Sequence, residues 1–284
     1  MATAQRTYWI AIACLTPLIV IISYFFLYPL VAMFFSGLRV SRESSAYTWD
    51  NYLLVLLNER YRRSLLTSIV LSTVVTLASL IPSTLIAFFL GRNVRKAKKL
   101  LVALITFPLS FPGVLVGFMI IILFGHTGVV PQIFQGYLGI SGLNVAYTLV
   151  GLFIAYLYFE IPRVTISLLA AVENLNPTIE EAARSLGASG WQRLRYVTLP
   201  ALSPALLAAG ILAFATSMGA FGTAFTIAQG FNVLPMLIYT EYTLAFKFQV
   251  ASALSVILGV ITFVLIFGYR RLSRRLFAEG ARRA

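Results

Sequence analysis

The chain has 284 residues, 60% of them hydrophobic and 11% charged, more apolar surface than a water-soluble core of that length can bury. A formal net charge of +13 would suggest nucleic acid in a soluble protein, but the basic residues sit in short segments between long apolar runs, as in loops that flank membrane helices. The runs are unbroken and lack the alternation over about 10 residues that marks a membrane β-barrel, so an all-α integral membrane protein is expected and no nucleic-acid partner.

Arg6 is followed by an uncharged run over 7–38. A signal peptide has an apolar core of about 7–15 residues, so this run reads as a retained first span, near 9–35. The single cysteine, Cys14, lies in it, and no disulfide can form within the chain. Further uncharged runs cover 64–91, 100–159, 196–240 and 248–269. The run 100–159 must hold two spans, with Gly125, Gly128, Pro131 and Gly136 marking the turn between them. The spans are expected near 65–90, 101–124, 146–170, 202–222 and 248–269.

Charge settles how 196–240 is divided. Arg92, Arg95, Lys96, Lys98 and Lys99 have no acid among them, and Arg270, Arg271, Arg274, Arg275, Arg282 and Arg283 face only Glu279. Positive-inside bias places both groups in the cytoplasm, and splitting 196–240 into two spans would put those six arginines outside. Six spans with both termini cytoplasmic are expected. Segment 39–63 is then external, with Tyr47, Trp49, Tyr52 and Tyr61 suited to an interfacial belt. Segment 223–240 is external and nearly uncharged; it reads either as a partly re-entrant segment near a pathway mouth or as a surface loop.

A polar island over 173–200 interrupts the oil. Asn176 can cap a helix, Pro177 fits its first position, and Glu180 and Glu181 sit in the first turn, where the dipole favours anions. Gly187 falls where that helix should end. Ser189 and Gln192 have capping-box spacing for a second short helix, which Pro200 follows. Ala182 and Ala183 leave a thin face for a partner groove. The bland alternative is an amphipathic helix pair lying on the membrane.

The ordered set Glu181-Ala182-Ala183, Gly187 and Leu199-Pro200, led in by Asn174-Leu175-Asn176-Pro177 and placed between the fourth and fifth of six spans, resembles the EAA loop of ABC importer permeases. The resemblance implies the type I (MetI-like) permease fold and a role as the membrane subunit of an ATP-driven importer in a bacterial inner membrane. It implies a second, homologous permease as heterodimer partner, two ATPase subunits and a periplasmic solute-binding protein. Glu180, Glu181, Ala182, Ala183, Gly187, Leu199 and Pro200 would form the ATPase-coupling loop. The chain contains no Gly-x-x-x-x-Gly-Lys-Ser/Thr and no glycine followed by lysine, so ATP and magnesium would belong to the partner ATPase, and no catalytic residue, cofactor or metal is expected here.

Residues that could touch solute are few. Glu160 lies within the fourth span, where an ionisable group is a functional candidate by default, although pairing with Arg163 or snorkelling would also account for it. Ala205, Ala209, Ala213 and Ser217 recur at helical spacing and read as a packing seam. Ser217, Gly219 and Thr223 lie toward the outer end of the fifth span as pathway candidates, and Glu241 sits outside the last span, as a contact for a cationic solute or an interface anchor. His126 reads as a turn residue, since a lone histidine cannot build a metal site.

Ser217-Met218-Gly219-Ala220-Phe221-Gly222-Thr223 and Tyr158-Phe159-Glu160-Ile161-Pro162-Arg163 are similar to permeases of the polyamine, ferric-iron and phosphonate group. The expected cargo is a polyamine of the spermidine or putrescine kind, with an aminoalkylphosphonate or ferric iron as alternatives. An ion-coupled secondary transporter is the alternative class. It would want embedded relay residues and internal repeats, and neither is evident.

Overall fold

Backbone inside a bilayer has no water to bond, so each apolar run must close its hydrogen bonds internally. The computed structural model describes residues 15–41, 46–94, 96–139 and 144–283, without the side chains of 138 and 272–283. Residues 9–14 of the expected first span, Cys14 and Arg95 lie outside the described residues. Six helical stretches are long and apolar enough to cross a membrane: Leu15–Leu38 (α1), Glu59–Arg92 (α3), Gly113–Tyr137, Leu149–Glu173 (α7), Gly190–Met218 (α9) and Phe248–Arg271, the last continuing to Arg283 as α12. Shorter helices are Asp50–Leu57 (α2), Lys98–Thr106 (α4), Pro177–Ser185 (α8), Gly222–Ile227 (α10) and Leu234–Tyr239 (α11).

The third crossing differs from the expected continuous helix over 101–124. Helix α4 stops at Thr106, a 3-10 turn covers Phe107–Ser110, and a new helix, Gly113–Phe124 (α5), is followed by Val129–Leu138 (α6). Pro112 explains the break. It lacks an N–H and disfavours the α region for the residue before it, and Phe111 is extended at φ −84° and ψ 134°.

The chain divides into two compact units, Met1–Arg62 with Leu237–Val260 and Arg63–Met236 with Ile261–Ala284. In the first, the segment after α1 folds back on the end of that helix. Asn51 Nδ2 donates to the carbonyls of Gly37 and Arg39, both at 2.9 Å, and the Tyr52 hydroxyl donates to the Phe34 carbonyl at 3.0 Å. Gly37 permits the approach, since a Cβ there would lie 2.7 Å from the Tyr52 hydroxyl. Tyr47 and Trp49 remain exposed while Tyr52 and Tyr61 are buried. The expected belt of four is therefore a belt of two, because burial of a tyrosine is tolerable once its hydroxyl has a partner.

The second unit is packed the way helices pack in lipid, with small residues inward and large ones outward. Along α3, Ser64, Ser68, Ser72, Thr76, Ser79 and Ser83 are buried, whereas Leu66, Val70, Val74, Leu77, Ile81 and Leu85 are exposed. Three of the serines join elements, Ser72 through a 3.8 Å contact of its hydroxyl with the Met218 sulfur of α9. Ser68 Oγ accepts from the Leu234 N–H at 2.7 Å, at the start of α11, and Ser83 Oγ donates to the Ile161 carbonyl at 2.9 Å, beside Pro162 in α7. Ala209, Ala213 and Ser217 of α9 are buried, and the first two belong to a core with Val164, Leu168 and Val172 of α7.

Segment 223–236 is no surface loop. Thr223, Ala224, Ile227, Val233 and Leu234 are buried, and α10 packs along α5. Glycines bring the two backbones together: a Cβ on Gly113 would lie 3.1 Å from the Thr223 nitrogen, and one on Gly222 3.0 Å from the Val114 nitrogen. Of the irregular backbone between α10 and α11, Val233 is buried whereas Gln229 and Gly230 are exposed, so only its end beside α11 is covered by protein.

Candidate functional site

The island builds its loop from the expected local chemistry. The Asn176 side chain accepts the Thr178 N–H at 3.0 Å at the start of α8. Helix α8 ends in a Schellman motif: Ala188 N–H bonds the Ala183 carbonyl, and Gly187 N–H the Arg184 carbonyl, both at 3.0 Å, with Gly187 at φ +81°. Ser189 and Gln192 then form a reciprocal capping box at 3.3 and 2.7 Å. The second short helix is not separate, however. It runs through a π turn at Leu194–Thr198 directly into the fifth crossing, so α9 is one helix of 29 residues. Pro200 does not terminate it. The Leu199 N–H bonds the Leu194 carbonyl across the wide turn, which absorbs the missing proline donor locally.

Within the loop, Glu180 and Glu181 have different roles. Glu180 faces inward, accepting from the Thr198 hydroxyl at 3.2 Å and pairing with Arg92 at 3.5 Å, while Lys98 pairs with Glu173. Glu180 braces the loop against the end of α3. Glu181, Ala182 and Gly187 are exposed, and Ala183 and Leu199 are half-buried. Around them Ile179, Leu186, Trp191 and Tyr196 are 57%, 90%, 66% and 69% exposed. So much apolar area on a polar loop marks a contact surface.

A second feature lies between α7 and α9, an open cleft of about 420 Å³ lined by Gly113, Tyr156, Phe159, Glu160, Arg163, Ala215, Thr216, Ser217 and the turn from Gly219 to Thr223. Four pathway candidates, Glu160, Ser217, Gly219 and Thr223, share this cleft. Glu241 does not line it: it belongs to the first unit, fully buried, and pairs with Arg60 at 3.0 Å. Glu160 Oε1 pairs with Arg163 Nη1 at 2.5 Å and accepts from the Thr216 hydroxyl at 2.8 Å. Its other oxygen and the Ser217 hydroxyl are both buried, and Ser217 stands beside the carboxylate as a hydrogen-bond donor.

Sequence reasoning missed Tyr156, whose hydroxyl donates to the Ala220 carbonyl at 2.9 Å and fixes the turn between α9 and α10. The signal was its spacing: Tyr156, Glu160 and Arg163 fall on one helical face. Tyr156→Phe removes the donor from a part-buried carbonyl, a cost of about 0.5–1.5 kcal/mol. The variant is expected to insert normally but to unfold at lower temperature in detergent.

Comparison with known proteins converges on one family. Residues 83–278 match the family model described as "Binding-protein-dependent transport system inner membrane component". The sulfate transport system permease protein CysT of Salmonella typhimurium is 29% identical over 235 residues, 81% of this chain and 83% of that protein. The molybdenum transport system permease protein ModB of Mycobacterium tuberculosis is 29% identical over 227 residues, 78% of this chain and 83% of that one. Among solved structures, a bacterial alginate ABC transporter in complex with an alginate pentasaccharide-bound periplasmic protein matches with a TM-score of 0.81 and 18% identity, covering 98% of each chain; at that identity the likeness is one of fold. The family match takes in the polar loop and the cleft alike, and the chain belongs to the inner membrane components of binding-protein-dependent transport systems, the permease subunits of ABC importers.

Proposed function

We propose that this permease forms half of the membrane pathway of an importer for a small tetrahedral oxyanion of the sulfate or molybdate kind. The observation that carries the reading is the likeness to sulfate and molybdenum permeases over about four-fifths of the chain. The cleft agrees with it. Its carboxylate is committed to an arginine, so the charge nearest to solvent is cationic: the Arg163 side chain is 30% exposed and the Glu160 side chain 3%. Glu241 is likewise taken by Arg60.

As a member of its family the chain is a multi-pass inner-membrane subunit that works with a partner permease, a separate ATPase and a periplasmic binding protein. In this reading the second permease is homologous but distinct, two ATPase subunits grip the exposed face around Glu181 and Gly187, and both termini are cytoplasmic. The contacts of Arg92 and Lys98 with Glu180 and Glu173 support that side for the loop, since they join it to the basic segment that positive-inside bias retains in the cytoplasm.

The polyamine expectation stays as a second reading for one reason: Arg163 and Thr216 both bond Oε1 of Glu160 and leave Oε2 to the cleft side, where an ammonium group would find a carboxylate oxygen. Uptake of labelled sulfate, molybdate and spermidine by cells expressing the whole importer separates the two. The oxyanion reading expects uptake of sulfate or molybdate that excess spermidine leaves unchanged. Uptake of spermidine, an aminoalkylphosphonate or ferric iron, with neither oxyanion carried, would replace it.

A further inference from the structure

We propose that the cleft between α7 and α9 is an anion-binding subsite inside the permease, in which Arg163 contacts the solute, Glu160 positions its guanidinium, and Thr216 links that pair to the docking loop. The inference rests on the oxyanion reading above and assigns the site and its regulation.

The cleft presents its charges in a definite order. Arg163 stands ten times more exposed than Glu160, 30% against 3% by side chain, so a solute entering meets the guanidinium first and the carboxylate lies behind it. Arginine carries five N–H donors in a planar fork that suits the edge of a tetrahedral oxyanion, and Nη1 is held in place by Glu160 Oε1. The Ser217 hydroxyl, in a residue only 3% exposed, lies on the same wall beside the Glu160 carboxylate. The paired carboxylate matters for throughput. An isolated arginine in a low-dielectric cleft would trap a dianion, whereas a neutralised pair holds it weakly, and passage requires binding that also lets go.

Regulation follows from the course of α9. That helix begins at Gly190 inside the docking loop and continues to Met218, roughly 43 Å at about 1.5 Å per residue. Thr216, near its far end, donates to the same Glu160 oxygen that holds Arg163. Displacing the loop displaces the start of the same helix. Parting Thr216 from Glu160 removes one of the bonds that aim the carboxylate, and the grip of Arg163 on an anion changes with the state of the motor.

The test uses the assembled importer in liposomes, with both permeases, the ATPase and saturating binding protein. Arg163→Gln is expected to lower the kcat of sulfate or molybdate uptake at least tenfold, with Arg163→Lys retaining part of it. The double variant Glu160→Gln/Arg163→Gln strands no buried charge, and should insert and assemble yet still fail in uptake. Thr216→Val should lower kcat while ATP hydrolysis persists, and Thr216→Ser should restore it. A binding readout uses Cys14→Ser with Gly219→Cys, a position where a Cβ meets nothing closer than the Ala215 carbonyl at 3.6 Å. Sulfate or molybdate should slow thiol labelling there, and Arg163→Gln should abolish that protection. Equal protection with and without Arg163, or no protection at all, overturns the subsite. Absence of oxyanion uptake by the unaltered importer overturns the cargo reading instead, and the labelling result still decides the subsite because it requires binding alone.

Discussion

Replacing Gly187 with valine is expected to leave the protein inserted in the membrane and to cut ATP-dependent uptake more than about tenfold, since 1.4 kcal/mol corresponds to a factor of ten. Gly187→Ala should fall between, and Gly187→Asn should lie nearest to the unaltered protein. The order follows from backbone conformation alone. Gly187 sits at φ +81°, and no atom lies within 4 Å of where its Cβ would be, so added volume meets open space. The left-handed conformation itself costs an L-residue about 1–2 kcal/mol. Asparagine tolerates it best and a β-branched residue worst. The chain relieves that strain by giving up the bonds from Gly187 and Ala188 to Arg184 and Ala183. Helix α8 then turns relative to α9, and the exposed residues Ile179 and Glu181 shift relative to Trp191. Paired measurements of uptake and ATPase co-purification check the series. Glu181→Lys, which alters the exposed face without touching the backbone, should give a similar loss. Equal activity of the valine and asparagine variants would remove backbone geometry as the cause.

The island was legible in the sequence because its signals are local. Asn176, Pro177, Gly187 and the Ser189–Gln192 pair each act on backbone within a few residues, and each does in the structure what its type and spacing imply. What escaped were features whose partners are distant in the chain. Ser68 reads as an ordinary serine in an apolar helix until Leu234 arrives 166 residues later with an N–H to bond. Tyr156 reads as one aromatic among many until the Ala220 carbonyl is placed beside it. Hydropathy misjudged two boundaries for a related reason. It averages over Phe107–Pro112, where prolines break the helix, and it stops at the polar residues of 190–195, where the helix continues through a π turn. Glu160 shows a candidate partner in the sequence itself, Arg163, whereas Glu241 reads as a lone acid. Their arginines, three residues away in one case and 181 in the other, give each a different setting.

Gly117→Ala is expected to be a damaging single-methyl change in the second unit. A Cβ there would overlap the Thr226 hydroxyl and stand 2.8 Å from the Thr226 Cβ and 3.3 Å from the Thr223 carbonyl. The hydroxyl is held within α10 by its bond to that same carbonyl at 2.9 Å, so relief requires α10 to move off α5. Overpacking of this kind costs about 1–3 kcal/mol, read as a lower unfolding temperature in detergent. The effect on transport should exceed what the lost stability alone implies. Thr223 lines the cleft, and Gly113 and Gly222, which pack backbone to backbone, line it too; moving α10 therefore moves the wall that faces Arg163. Thr226→Ala clears the hydroxyl, so the pair Gly117→Ala/Thr226→Ala should recover part of both losses, with a coupling of about 0.5–3 kcal/mol between the two sites. If the double variant is no better than the sum of its parts, the close crossing of α5 and α10 is not what sets the cleft wall.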